Sequence, residues 1–268
     1  MPETQVTPDT GDGAGIATKA PARGRRRGTP TTSAASATDA PRLVIQPVKT
    51  ETLIIPIVGT APLIVSRFSE KAKKQMLDAQ QGVKNPPQKR DPNAEFGASL
   101  YRAGVIDPDG PTETLVDGVL NPNLRWGLPA MAFKMATIGA GRFYGKQVKM
   151  TELRQFMFFE GIQVDGESSK MVVIDGEPEM REDYVRLAGV NHPADLRYRG
   201  CFYEWSALLE VRYTVNLLDR QSLVSLIQAG GMGVGVGEWR PERNGEFGTY
   251  EVQDGEIKVV RPALVTAG

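Results

Sequence analysis

The sequence predicts a single soluble α+β domain behind a disordered basic tail, and three observations carry that prediction. Residues 1–42 are Pro, Gly, Thr, Ala and Ser with almost no large apolar side chain, too little to offset the entropy of ordering. Beyond them, β-branched and alternating runs interleave with stretches rich in helix formers. No period of 20–50 residues recurs, which excludes repeat architectures.

Order is expected from Leu43, and residues 43–268 form the one domain. Leu53–Val58 is a β-branched run ending at Gly59, with Pro56 pointing to an edge or bulged strand. After Ala61–Val65, a helix capped by Ser69 runs to Gln80 and stops at Gly82. Residues 82–123 contain six prolines, at 86, 87, 92, 108, 111 and 122, and are expected to form a long inserted loop region with a short helix over Glu95–Arg102. Pro129 fits the first turn of a helix to Ala140, with Phe133, Ala136, Thr137 and Ala140 on a buried face and Lys134 one position off it.

Strands are expected over Phe156–Val164, Met171–Ile174, Asp183–Leu187 and Phe202–Tyr213. The last places Tyr203, Trp205, Ala207, Leu209 and Val211 on one face. A helix over Asp219–Ala229, ended by Gly230 and Gly231, leads through a glycine-rich loop to a closing strand over Thr249–Val252.

Charge and residue inventory narrow the chemistry. The chain balances 32 basic against 32 acidic residues, but the first 50 hold 7 Lys/Arg and 4 Asp/Glu, leaving 25 and 28 in the remainder. The domain is therefore no polycation, and any nucleic acid must find a local patch. One histidine, His192, and one cysteine, Cys201, exclude zinc clusters and nucleophile triads, and the carboxylates form no compact metal-binding set. The expectation is a non-enzymatic protein with no metal and no cofactor. No apolar stretch is long enough to span a membrane, the N-terminus lacks an export signal, and the lone cysteine suits a cytoplasmic setting.

The local features that remain favour anions. Gly230, Gly231, Gly233, Gly235 and Gly237 can approach a phosphate closely and aim N–H groups at it, or can serve a tight irregular connection. Trp239, Arg240 and Arg243 join a stacking face to two guanidinium groups, unless the tryptophan caps the core and the arginines pair with nearby glutamates. Arg197-Tyr198-Arg199 interleaves basic and aromatic residues as single strands favour. Lys71, Lys73 and Lys74 with Arg67 read either as a contact surface or as a solvated helix face. In the tail, Arg23, Arg25, Arg26 and Arg27 form a cationic cluster able to touch phosphates without folding.

The order of elements, with Leu128-Pro-Ala-Met-Ala-Phe-Lys-Met135 opening a helix and the glycine-rich loop Gly230–Gly248 before the last strand, resembles the RAMP superfamily of CRISPR effector backbone subunits. Ala130, Met131 and Met135 depart from that family's Gly, Ser and small-residue pattern at the helix start. Residues 59–64 and 237–243 are also similar to phrases in bacteriophage proteins, which implies a phage or prophage origin and a host cytoplasm. The resemblance implies a ferredoxin-like antiparallel sheet with helices on one face, single-stranded RNA or DNA as partner, and assembly into homo-oligomers or filaments. On it, Lys134, Arg142, Arg197, Arg199, Arg240 and Arg243 contact phosphates, Tyr198 and Trp239 stack, and Gly233, Gly235 and Gly237 line the backbone. The rival reading is a virion or assembly protein that binds no nucleic acid.

Overall fold

A computed structural model of the chain describes residues 47–83, 89–186, 194–253, 255 and 257–260. The predicted tail, its arginine cluster and His192 lie outside the described residues. The elements are β1 (Thr50–Gly59), β2 (Leu63–Val65), α1 (Glu70–Gln80), α2 (Pro92–Ser99), β3 (Tyr101–Val105), β4 (Leu115–Val116), β5 (Val119–Leu120), β6 (Leu124–Pro129), α3 (Ala130–Ala140), α4 (Met150–Phe156), β7 (Met157–Phe159), β8 (Met171–Asp175), β9 (Pro178–Arg186), β10 (Ala194–Phe202), β11 (Ser206–Thr214), α5 (Arg220–Gly233), β12 (Tyr250–Val252) and β13 (Lys258–Val260).

The larger sheet runs β12-β1-β11-β8-β6-β3, antiparallel at each pairing. Two of its positions are shared by a pair of short strands. β7 and β8 lie along the same side of β11, opposite its end and its start, and β12 and β13 divide the free side of β1 in the same way. Taking each pair as one strand, β1, α3, β7/β8, β11, α5 and β12/β13 make a βαββαβ unit with spatial order fourth, first, third, second. This is the ferredoxin-like arrangement, and the protein is α+β with a mostly antiparallel sheet.

β1 is central, not the edge strand that Pro56 suggests, and the division of its neighbours explains why. The carbonyl of Pro56 accepts the Gln253 N–H at 3.0 Å, and a residue's N and C=O point the same way in an extended strand. The missing N–H therefore lies where β12 gives way to β13, so no ladder bond is forfeited.

The core lies between this sheet and helices α3 and α5. Leu53, Ile55 and Ile57 of β1, with Leu209, Val211 and Tyr213 of β11, are essentially inaccessible, as are Phe133 of α3 and Leu223 and Ile227 of α5. Asp219 caps α5 by accepting the Ser222 N–H at 2.9 Å, and hydrogen bonds from Ser222 hold its carboxyl below the usual range. The helix runs to Gly233, past the stop that Gly230 predicts. A Cβ on Gly230 would stand 2.9 Å from the Ala136 carbonyl of α3, and one on Gly231 would strike the Tyr250 backbone and ring, so both glycines let α5 approach its neighbours.

Tyr250 closes this core, its ring edge-on to Phe133 at 5.8 Å and to Trp205 at 6.1 Å. Among the described residues its buried hydroxyl has no hydrogen-bond partner of good geometry. Burial accordingly pushes the phenol pKa far upward. Tyr250→Phe is expected to leave the melting temperature unchanged or raise it, because the removed group is desolvated and unpaired. A thermal-melt comparison with the wild type checks this, and a clear drop would mean the hydroxyl is satisfied in solution.

The smaller sheet, β2-β10-β9, carries the region of interest. The expected strand over 202–213 is broken at residues 203–205, so β10 ends at Phe202 and Tyr203 is exposed. α2 packs on one face of β10. The Gly200 N–H donates to Ser99 Oγ at 2.8 Å, and a side chain at Gly200 would collide with Leu100. α2 starts three residues before the predicted helix because Asp91 accepts the N–H groups of Asn93 and Ala94 and Pro92 fills the first turn. Residues 82–123 are not simply an excursion from the core, since Phe96, Leu100 and Ala103 are buried and β3 pairs with β6.

Candidate nucleic-acid interface

The glycine-rich loop lies against the edge of the smaller sheet. Its N–H groups are largely spent within the protein. Gly235 donates to the Gly230 carbonyl, Val236 to Gly248, Glu238 to Ile64 and Gly248 to Pro62, all at 2.8–2.9 Å. Gly235 and Gly237 have φ of 70° and 76°, and a Cβ at Gly237 would meet the Ile64 carbonyl of β2. Gly233 faces the Phe143 ring. The arrangement of these glycines is that of backbone packed on backbone, the tight-connection reading, rather than a set of donors aimed outward.

Trp239 fixes the loop to the sheet. Its φ is 50°, a left-handed conformation uncommon for a large residue, held by surrounding contacts. The guanidinium of Arg199 lies 5.5 Å from its ring centroid and that of Arg181 5.8 Å, while Arg181 also covers Phe247 at 4.9 Å. Arg199 and Arg181 are register partners on β10 and β9, and they share one carboxylate. Arg181 Nε donates to Asp183 at 2.8 Å and Arg199 reaches the other oxygen at 3.5 Å. Arg199 is 5 % exposed, Asp183 4 %, and Arg199 Nε has no partner. Cys201 is buried on the same strand, and burial pushes its thiol pKa up. Expected to be a phosphate contact, Arg199 is instead buried beside an aromatic ring, and Trp239 already carries two cations.

The other predicted cations fall into separate groups. Arg142 and Arg240 both reach Glu242, each at 3.0 Å, and Arg240 also donates to the Gly237 carbonyl. The Arg243 side chain is exposed and has no partner among the described residues. Lys134 donates to the Arg154 carbonyl at 3.0 Å and lies 5.2 Å from the Phe158 ring, which Arg212 also covers. Partial burial lowers the Lys134 pKa. These residues do not converge with Arg197.

Arg197 and Tyr198 line a different feature, a cleft of about 650 Å³ bounded by α1, α2 and β10. Its cations are Arg67, Lys71, Lys89, Arg90, Arg197 and Arg199, against the acids Asp91, Glu95 and Asp195. Arg90 is bound to Glu95 and to Asp195, at 2.6 Å each, and those bonds raise its pKa, Glu95 first. Arg67 donates to Glu167 at 2.7 Å, and Arg197 stands 3.6 Å from Asp195. Lys71 and Lys89 are exposed and have no acidic partner among the described residues. Partial desolvation and the neighbouring Glu182 raise the Tyr198 pKa, so its phenol remains neutral. An adjoining cleft of about 630 Å³ shares Arg67, Ser69 and Lys71 and adds Arg102, but carries the acids Glu70, Glu113, Asp165 and Glu167, so its lining is the more acidic of the two.

Lys89 and Arg90 carry no signal of their own in the sequence, where they follow a proline pair in a stretch without periodicity. Among the described residues no group of three or more His, Cys, Asp or Glu is placed to hold a metal, and no helix is long and apolar enough to cross a membrane.

No family model and no curated protein matches the chain. Among solved structures it is distantly similar to a chain of the Type III-B Cmr-beta complex bound to cognate target RNA, with a TM-score of 0.37 and 11 % identity, covering 80 % of this chain and 61 % of that one. It is also similar to Cmr6 from Pyrococcus furiosus, with a TM-score of 0.34 and 9 % identity, covering 77 % of this chain and all of the other. The chain thus spans about three fifths of the first of these.

Proposed function

We propose that this protein is a non-enzymatic binder of single-stranded nucleic acid, RNA or DNA, and that the cleft between α1, α2 and β10 is where the phosphate backbone lies. One observation carries the reading. Lys71, Lys89 and Arg197, far apart in sequence, stand exposed around one cleft beside the half-buried ring of Tyr198. Lys71 and Lys89 have no acidic partner among the described residues, and Arg197 is offset only by Asp195 at 3.6 Å. Such cations release counterions when they meet phosphates, and a neighbouring aromatic ring offers a stacking surface indifferent to base identity. Arg67 and Arg90, tied by ion pairs, shape the walls and contribute less to the field.

The test is a fluorescence anisotropy titration with labelled oligouridylate and oligothymidylate at low and moderate salt. Binding is expected at micromolar protein and low salt, weakening as salt rises. The triple variant Lys71→Ala, Lys89→Ala, Arg197→Ala should lower the slope of log K against log salt by about 0.7 for each phosphate left without its cation, roughly 2 in all. Arg240→Ala with Arg243→Ala should leave that slope unchanged, which separates the cleft from the glycine loop. No anisotropy change at micromolar protein and low salt would remove the proposal. A second reading, a subunit contact in an assembly, is favoured by the exposed Leu208 and Ile162 beside a cleft of about 550 Å³ on the open face of the larger sheet.

A further inference from the structure

We infer that Asp195 is the resident counter-anion of the cleft, holding Arg197 in the free protein and yielding that guanidinium to a phosphate when a strand binds, so that its charge limits the affinity of the site. The inference rests on the proposed nucleic-acid reading and deepens it by naming the residue that regulates the same cleft.

The three acids of the cleft have different tasks. Asp91 caps α2 by accepting the N–H groups of Asn93 and Ala94. Glu95 is gripped by the fork of Arg90, its two oxygens accepting Nε at 2.8 Å and Nη2 at 2.6 Å. Asp195 is shared between two arginines, and unequally. One of its oxygens accepts Arg90 Nη1 at 2.6 Å, while the other stands 3.6 Å from Arg197 Nε, too far for a hydrogen bond. Arg90 Nη2 also donates to the Leu196 carbonyl, so every nitrogen of that guanidinium is occupied within the protein. The Arg197 side chain is 45 % exposed and has no other ion pair among the described residues, which leaves it free to turn.

This unequal grip makes exchange possible at Arg197 and not at Arg90. When Arg197 turns to a phosphate, Asp195 keeps its tight bond to Arg90, and no carboxylate is left without a partner. The same bond keeps the Asp195 charge in the cleft, where it opposes the charge of an arriving phosphate. A strand therefore gains less from Arg197 than from Lys71 or Lys89, neither of which has an acidic partner among the described residues. Asp195→Asn removes the charge yet keeps an oxygen for Arg90 to bind.

Anisotropy titration of the full-length protein with labelled oligouridylate tests this. Asp195→Asn should bind about fivefold more tightly at low salt, the upper range for an exposed ion pair, with the gain fading as salt screens the missing charge. Arg197→Ala should lower affinity by at least about twofold more in the Asp195→Asn background than in the wild type, since the cation is then no longer shared. Should Asp195→Asn fail to fold, Asp195→Ser, which keeps a hydroxyl acceptor for Arg90, carries the same expectations. Unchanged or weaker binding by the folded variant, a gain indifferent to salt, or strictly additive effects of the two substitutions overturns the inference while strand binding itself stands. Absence of any strand binding by the wild type removes the functional reading, and this role of Asp195 with it.

Discussion

Asp183→Asn is expected to destabilise the protein by about 3–5 kcal/mol, the range for breaking a buried ion pair by removing one partner. The carboxylate serves two guanidinium groups at once. With it gone, Arg181, whose side chain is 27 % exposed, can turn toward water, whereas Arg199 at 6 % cannot. Arg199 Nε already lacks a partner, so the variant leaves a guanidinium held by little beyond the Trp239 ring. Chemical denaturation of the two proteins measures the difference. The double variant Asp183→Asn, Arg199→Met should recover most of the deficit, because an apolar side chain of similar volume has no charge to strand. A change below about 1 kcal/mol in the single variant would mean that Arg199 reaches solvent and that the loop does not seal this face.

The elements of the ferredoxin-like core are legible in the sequence because their signals are local. The Phe133, Ala136, Thr137, Ala140 stripe of α3, the alternation around Leu209 and the helix start near Asp219 each lie within a dozen residues, and the structure places them as read. Non-local pairing is not legible. Nothing near Pro56 reveals that the neighbour of β1 changes from β13 to β12 just there, and nothing near Arg197 announces that β10 is a separate strand. The site divides in the same manner. Arg197-Tyr198-Arg199 stands out as a linear triplet, but its arginines meet different surroundings, Arg199 buried against Trp239 and Asp183 and Arg197 exposed beside Asp195. Lys71 is visible on a predicted helix face, yet its meeting with Lys89 and β10 depends on how α1 and α2 are mounted.

The glycine run is open to two meanings, and the second large effect separates them. Gly248→Ala should cost about 2–4 kcal/mol, combining the strain of a left-handed backbone in a residue with a side chain and the displacement of packed backbone. Gly248 has φ of 65°, a Cβ there would overlap the Val236 carbonyl, and its N–H and C=O bind Pro62 and Val236. Relief requires the loop to lift from β2, which would also loosen Trp239 from its two arginines. If the loop's purpose is to hold the smaller sheet in shape, denaturation will register the change and strand affinity per folded molecule will not. If the loop instead cradled phosphate, substitution at Gly235, strained by its own φ of 70°, would lower strand affinity per folded molecule as well as stability. Measuring affinity and unfolding free energy on the same two variants therefore decides whether the glycines support the cleft from behind or form part of it.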